Sequence, residues 1–218
     1  MKYALNKLMR LERIVTLFLG MLLLGGCMRS KRDQIPFLQK NYKAENTTYR
    51  MSTKSIIRVV VLPLVNYSAK ISEDSMKMLQ DSLVQALLKI GRFECIFEHT
   101  ENFIYEYPRL PYRIFDRLSE KYNADAVMFM GVTDYCPYTP LRIGIKAQLV
   151  EVGSEKIIWA IDELFDGGRE DVMYGVKNFR RGHAQQVFES LDQLGQLSPK
   201  VFSVYVGRKI FETIPENF

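Results

Sequence analysis

The chain has 218 residues, 47% hydrophobic and 25% charged, with 13 Phe and 12 Tyr against one Trp. That balance excludes a low-complexity or disordered chain and supplies the apolar mass for one globular domain. The net charge of +5 is unevenly placed: Met28 to Arg58 carries +6 and the residues after it carry −4, a basic strap on a mildly acidic body, which argues against nucleic-acid binding.

Lys2, Lys7, Arg10 and Arg13 form a cationic start, and Ile14 to Leu24 is an apolar core too short to cross a bilayer as a helix. It ends in Leu24-Gly25-Gly26-Cys27. Two glycines leave a backbone that can enter a peptidase cleft, and the Cys27 thiol is the nucleophile beside them. The segment resembles the lipobox of bacterial lipoproteins. That resemblance implies a signal peptide over residues 1–26, cleavage before Cys27, and attachment of diacylglycerol with its fatty acids (palmitate among them) to the thiol. Two or three acyl chains hold a protein stably where one holds it marginally, since each buried methylene contributes ~0.8 kcal/mol. Met28, rather than Asp, follows the cysteine, which by the same resemblance implies delivery to the outer membrane, facing the periplasm.

Residues 27–54 are polar and basic with no sustained apolar period, and read as a flexible tether; the domain is expected over 55–218. Ile56 to Leu62 is a β-branched run closed by Pro63, the pattern of a strand buried on both faces. Ser72-Glu73-Asp74 starts a helix, with a capping hydroxyl and acids in its first turn. Met76, Leu79, Leu83, Leu87 and Ile90 give that helix its apolar face, and Gly91 ends it. Arg92 to Phe97 is a second strand. An irregular aromatic loop follows from Glu98 to Pro111, where Pro111 opens a helix with Ile114, Leu118 and Tyr122 on one face. Ala126 to Val132 is a third strand. Leu141 to Val152 and Lys156 to Phe165 form an antiparallel hairpin around Gly153-Ser154. Asp166 to Leu197 is polar, with a helix expected from His183 to Leu194, and Ser198-Pro199 starts a final amphipathic helix. The order βαβαβ, hairpin, helices predicts an α/β class with a mixed sheet and the C-terminal helices packed upon it.

Val59-Val60-Val61-Leu62-Pro63-Leu64-Val65-Asn66, Asn123-Ala124-Asp125 through Gly131-Val132, and Ile158-Trp159-Ala160 together resemble the TolB amino-terminal and curli-secretion (CsgG) superfamily, which includes PelC and LpoB-type lipoproteins. The resemblance implies a non-enzymatic periplasmic domain that binds an envelope protein or assembles with itself into a secretion ring. The chain departs from the pore-forming branch: neither Glu98 to Pro111 nor Asp166 to Leu197 offers paired lipid-facing strands of ~9–11 residues.

Catalytic and cofactor motifs are sparse. Leu62 to Ser72 contains no glycine, so no phosphate-cradling loop follows the first strand, and nucleotide binding is not expected. His99 and His183 are the two candidate bases for an envelope hydrolase, and neither lies in a nucleophile motif. No metal-ligand spacing occurs, so neither metal nor cofactor is expected; Asp162, Glu163 and Asp166 read as a charged strand edge in preference to a cation site. Cys95 and Cys136 leave a disulfide open, since sequence cannot place their Cα atoms. Trp159 reads as core. The positive functional signal is aromatic. Phe103, Tyr105, Tyr107 and Tyr112 lie among Pro108 and Pro111, and Tyr135 and Tyr138 lie beside Pro137 and Pro140. Prolines hold aromatics at low entropic cost, which suits partner anchors gathered at one end of the sheet; the alternative is a satellite core beneath long loops.

Overall fold

A computed structural model describes residues 44, 46–52, 55–68, 71–98, 113–187 and 197–216, with side chains in the third helix described through Arg181; all belong to the unit Lys40–Phe218. The segments read as signal peptide and the greater part of the tether, with Cys27, lie outside the described residues, as do His99, Phe103, Tyr105, Tyr107 and Tyr112. The described strands are β1 (Thr47–Tyr49), β2 (Arg58–Val61), β3 (Val65–Asn66), β4 (Glu94–Phe97), β5 (Ala126–Cys136), β6 (Arg142–Glu151) and β7 (Ile157–Asp166). The described helices are α1 (Glu73–Ile90), α2 (Ile114–Tyr122), α3 (Glu170–Val187) and α4 (Pro199–Phe211).

The strands form one mixed sheet in the order β1-β7-β6-β5-β2-β4, with β3 paired to β5 beyond the end of β2. The α/β expectation holds, with a parallel half (β4, β2, β3, β5) joined to an antiparallel half (β5, β6, β7, β1). Crossovers between parallel strands are right-handed. The chain moves outward from β2 to β4 through α1, then back across β2 to β5 through α2, so the two helices fall on opposite faces. The cores follow suit. Val59, Val61, Met128 and Met130 pack with Leu79, Leu83 and Leu87 of α1, whereas Val60, Val127 and Phe129 pack with Ile114, Phe115 and Leu118 of α2.

Local signals explain the helices. Ser72 caps α1 by accepting the Ser75 N–H at 3.3 Å, and Gly91 closes it at φ 67°. Ser198 caps α4 by accepting the Val201 N–H at 3.3 Å, with Pro199 in the first turn. In the antiparallel half the main core lies on one face. Ile143, Ile145, Leu149, Trp159, Ile161 and Phe165 join Phe202, Tyr205, Val206, Ile210 and Phe211 of α4 in the larger core. Trp159 is fully buried, as expected, and its Nε1–H donates to Thr213 Oγ1 at 3.1 Å.

Three boundaries differ from expectation. The third helix begins at Glu170, not His183, because Val172, Val176 and Phe179 form a stripe at steps of four and three that packs toward α4. Strand β5 runs on to Cys136. Thr47–Tyr49, inside the stretch read as tether, pairs antiparallel with β7, Thr48 opposite Ala160. Among the described residues no helix is long and apolar enough to cross a membrane.

Replacing Phe211 with Ala removes a fully buried ring that packs 6.4 Å from Trp159. Urea unfolding of that variant is expected to lose ~3–5 kcal/mol, whereas Tyr49→Ala on the exposed edge is expected to stay within about 0.5 kcal/mol of the parent.

Candidate docking surface

On the face of β6 and β7 opposite α4, Val150 and Ile157 join the α2 core, and beyond them no helix lies over it among the described residues. Arg142, Lys146 and Gln148 of β6 and Asp162 and Leu164 of β7 alternate with core residues and point to this side. Two glycines keep the face shallow. A Cβ at Gly131 would sit 2.1 Å from Cε2 of Tyr67, whose ring lies directly on that glycine. A Cβ at Gly144 would meet Thr133 Oγ1 at 2.5 Å and the Asp134 backbone nitrogen at 2.9 Å, at the irregularity where β5 slips register between Val132 and Asp134. Tyr67 is 42% exposed and Leu164 is 44% exposed. They are the apolar members of an otherwise polar face, and Leu164 carries a sequence signal that was available: it shares the strand parity of Asp162 and Asp166. Tyr67 has no such signal, because the ring finds its place only once β3 lies beside β5.

The face ends in the β5–β6 turn. There the two predicted aromatics separate. The register slip turns Tyr135 to the side of Ile143, where it packs against the larger core, while Tyr138 is 78% exposed. The tip is braced: Leu141 is buried, its carbonyl accepts the Gly167 N–H at 2.7 Å, and Arg142 pairs with Asp134 at 3.4 Å across β5 and β6. Pro137 and Pro140 flank Tyr138, and the Thr139–Pro140 peptide is cis. An exposed aromatic ring on a braced turn suits an interface anchor. Tyr135 is half-buried against the core, and Tyr138 is accessible.

The loop that carries Phe103, Tyr105, Tyr107 and Tyr112 lies outside the described residues, and only its point of departure is fixed by the sheet. Phe97, at the end of β4, is level with Val61 and Met128, seven residues short of Tyr135. At strand rise that is roughly 23 Å. The β5–β6–β7 sheet projects past the parallel half, and the loop after β4 leaves from a lower level.

The same register decides the cysteines. Cys95 is level with Val59 and so with Ala126, ten residues from Cys136 along β5, a separation of roughly 33 Å where a disulfide needs Cα atoms within about 7 Å. Both thiols are free. Burial pushes the Cys95 thiol up to about 11. Burial likewise raises the Tyr205 phenol, with Asp171 and Glu212 adding to it, and its hydroxyl faces Gly175 with no hydrogen-bond partner.

Other sites are poorly equipped for chemistry. The acidic trio is divided by strand alternation: Asp162 is exposed, whereas Glu163 is buried and accepts the Asn46 N–H at 3.1 Å. Among the described residues no group of three His, Cys, Asp or Glu side chains could hold a metal ion. A cleft of about 480 Å³ between α1 and α4 is floored by Ala86, Ile90 and Val204. Its charged rim is paired within the chain, Arg208 with Glu212 at 2.7 Å and Arg92 with Glu216 at 3.5 Å. His183 lies in α3, its side chain outside the described residues.

No protein-family model matches the chain, and no curated protein matches it. Among solved structures the chain is similar to the PelC dodecamer from Paraburkholderia phytofirmans, at 15% identity over 59% of this chain and 89% of that one, with a TM-score of 0.39. It is similar to lipoprotein GNA1162 from Neisseria meningitidis, at 17% identity over 60% and 99% of the two chains and a TM-score of 0.41. It is also similar to the LpoB C-terminal domain from Escherichia coli, at 14% identity over 52% and 85% and a TM-score of 0.37. PelC and LpoB are the two lipoproteins to which the strand motifs drew the resemblance.

Reduction is expected to leave the melting temperature unchanged, which differential scanning fluorimetry with and without dithiothreitol checks. Iodoacetamide at pH 8 is expected to modify Cys95 about 100-fold more slowly than an unperturbed thiol, because burial depletes its thiolate. The folded state resists ionising Cys95, so this thiol leaves stability unchanged below pH 9.0 and lowers it as pH rises toward about 11.

Proposed function

We propose that the protein is a lipid-anchored envelope protein, held by Cys27 at the periplasmic face of the outer membrane, that acts by protein–protein contact in envelope assembly or export and carries out no reaction of its own. The observation that carries this is the exposed Tyr138 on its braced, proline-flanked tip, at the end of a sheet face that no described helix covers. An anchor in the first residues and a rigid aromatic tip on the domain are the two parts a positional adaptor needs. Tyr67 and Leu164 widen the contact, and the ion pair of Arg142 with Asp134 supplies a polar rim. Phe103, Tyr105, Tyr107 and Tyr112 belong to the same reading as a second contact segment on the loop after β4.

Fractionation tests the anchor. Cys27→Ser is expected to move the protein from the membrane pellet to the soluble fraction, and an unchanged pellet would end the lipoprotein reading. Co-purification of the acylated protein from envelopes tests the contact surface. Tyr138→Ala with Tyr67→Ala is expected to lose a partner that the parent retains, and Tyr105→Ala with Tyr107→Ala reports separately on the loop. The mass of the purified protein in solution distinguishes an adaptor, a monomer or small oligomer, from a subunit of a closed ring.

A further inference from the structure

Two carboxylates are buried among the described residues, Glu151 and Glu163, and both receive hydrogen bonds from one short segment. Asn46, just before β1, donates its backbone N–H to Glu163 Oε2 at 3.1 Å. Ser52, just after β1, donates its hydroxyl to Glu151 Oε1 at 2.6 Å. Ser154, in the β6–β7 turn, also donates to Glu151. Between the two clamps the segment makes only a three-residue ladder with β7, extended by the Arg50 N–H to the Ile158 carbonyl at 2.8 Å and the Asp162 N–H to the Asn46 carbonyl at 3.2 Å. It buries little apolar surface: Tyr49 is 66% exposed and Met51 is 62% exposed. A strand of this length has almost no hydrophobic hold on its sheet, so its attachment depends on polar contacts at its two ends.

We propose that residues 46–52 form a releasable latch, docked on β7 by Glu163 and Glu151, whose undocking lengthens the tether and uncovers the edge of β7. The lengthening rests on the lipid-anchor reading above; the latch itself does not. Among the described residues, Ala44 just ahead of the latch packs against the larger core. Release of residues 46–52 spans at most about 23 Å of contour, comparable to the width of a small domain, and lengthens the tether once Ala44 leaves the core with it. The edge exposed by release is the backbone of Ile158, Ala160 and Asp162, a template for another extended strand. The device is a choice between a short, edge-protected form and a long, edge-open form.

The test uses the full chain in detergent micelles. Glu151→Met with Glu163→Met keeps the side-chain volume and removes both acceptors. Amide exchange at Thr48 and Arg50 is expected to rise roughly tenfold or more over the parent, since hydrogen bonds to charged groups are the stronger class. Trypsin cleavage after Arg50 is expected to rise with it, while exchange at Ala147 and Leu149 of β6 stays at the parent rate. Glu151→Gln with Glu163→Gln retains an acceptor at each site and is expected to fall between. Should the Met pair fail to fold, Thr48→Pro removes an inward-facing backbone donor from the ladder and is expected to give the same selective cleavage. Parent-like exchange at Thr48 and Arg50 in a folded Met pair would overturn the latch, and so would equal acceleration in β1 and β6. Cys27→Ser is expected to leave all of these readouts unaltered, so failure of the anchor and failure of the latch are distinct results.

Discussion

The right-handed crossover is the constraint from which the layout follows. Strand β2 lies between β4 and β5, so the two crossovers through α1 and α2 run in opposite directions and cover opposite faces. The parallel half is thereby sealed on both sides, which explains the unbroken apolar run of Val59, Val60 and Val61. Beyond β5 the chain returns by tight turns and needs no crossover helix. Helices α3 and α4 come back to the α1 face, and beyond Val150 and Ile157, which pack with α2, the other face of β6 and β7 has no helix over it among the described residues. Its composition agrees: Arg142, Lys146, Gln148 and Asp162 line it, in contrast to the apolar run of Val59 to Val61 in β2.

Strand length then sets how far the sheet projects. Strand β5 has eleven residues against four in β2 and β4, so the antiparallel half projects past the parallel half. A projecting two-stranded end would fray. Here the Leu141 carbonyl, the Gly167 amide and the Arg142–Asp134 pair tie three strands together at the tip. Tyr138 is thus held out by structure that is itself held, the arrangement in which an exposed aromatic costs least to bind with.

Much of this was legible in the residues. The caps at Ser72 and Ser198, the αL glycine at Gly91, and the turn at Gly153-Ser154 each rest on local chemistry, and each falls where the chain predicts. What could not be read depended on distant partners. Strand β1 is three residues long, too short to show a period, and its partner β7 lies far along the chain. The start of α3 was obscured because Gly175, a weak helix former, interrupts the stripe of Val172, Val176 and Phe179 and the segment as a whole is polar. The roles of Tyr135 and Tyr138 were inseparable in sequence. Simple alternation from Val127 and Phe129 would send Tyr135 to the α2 side, and only the slip after Val132 returns it to the α4 core.

The two buried carboxylates connect the edge of the sheet to residues 46–52. Taking a carboxylate out of water is costly unless donors satisfy it. Asn46 and Ser52 supply donors at Glu163 and Glu151, so docking the strap and burying the acids stabilise each other. A strand with exposed Tyr49 and Met51 can in this way be fixed without apolar burial, and it can also be freed without opening the core. The strap and the α4 core meet at Trp159, whose backbone is opposite Tyr49 while its indole is held by Thr213. The edge can therefore come away along β7 while the Trp159 side chain keeps its partners, which separates the stability of the domain from the length of the chain that carries it.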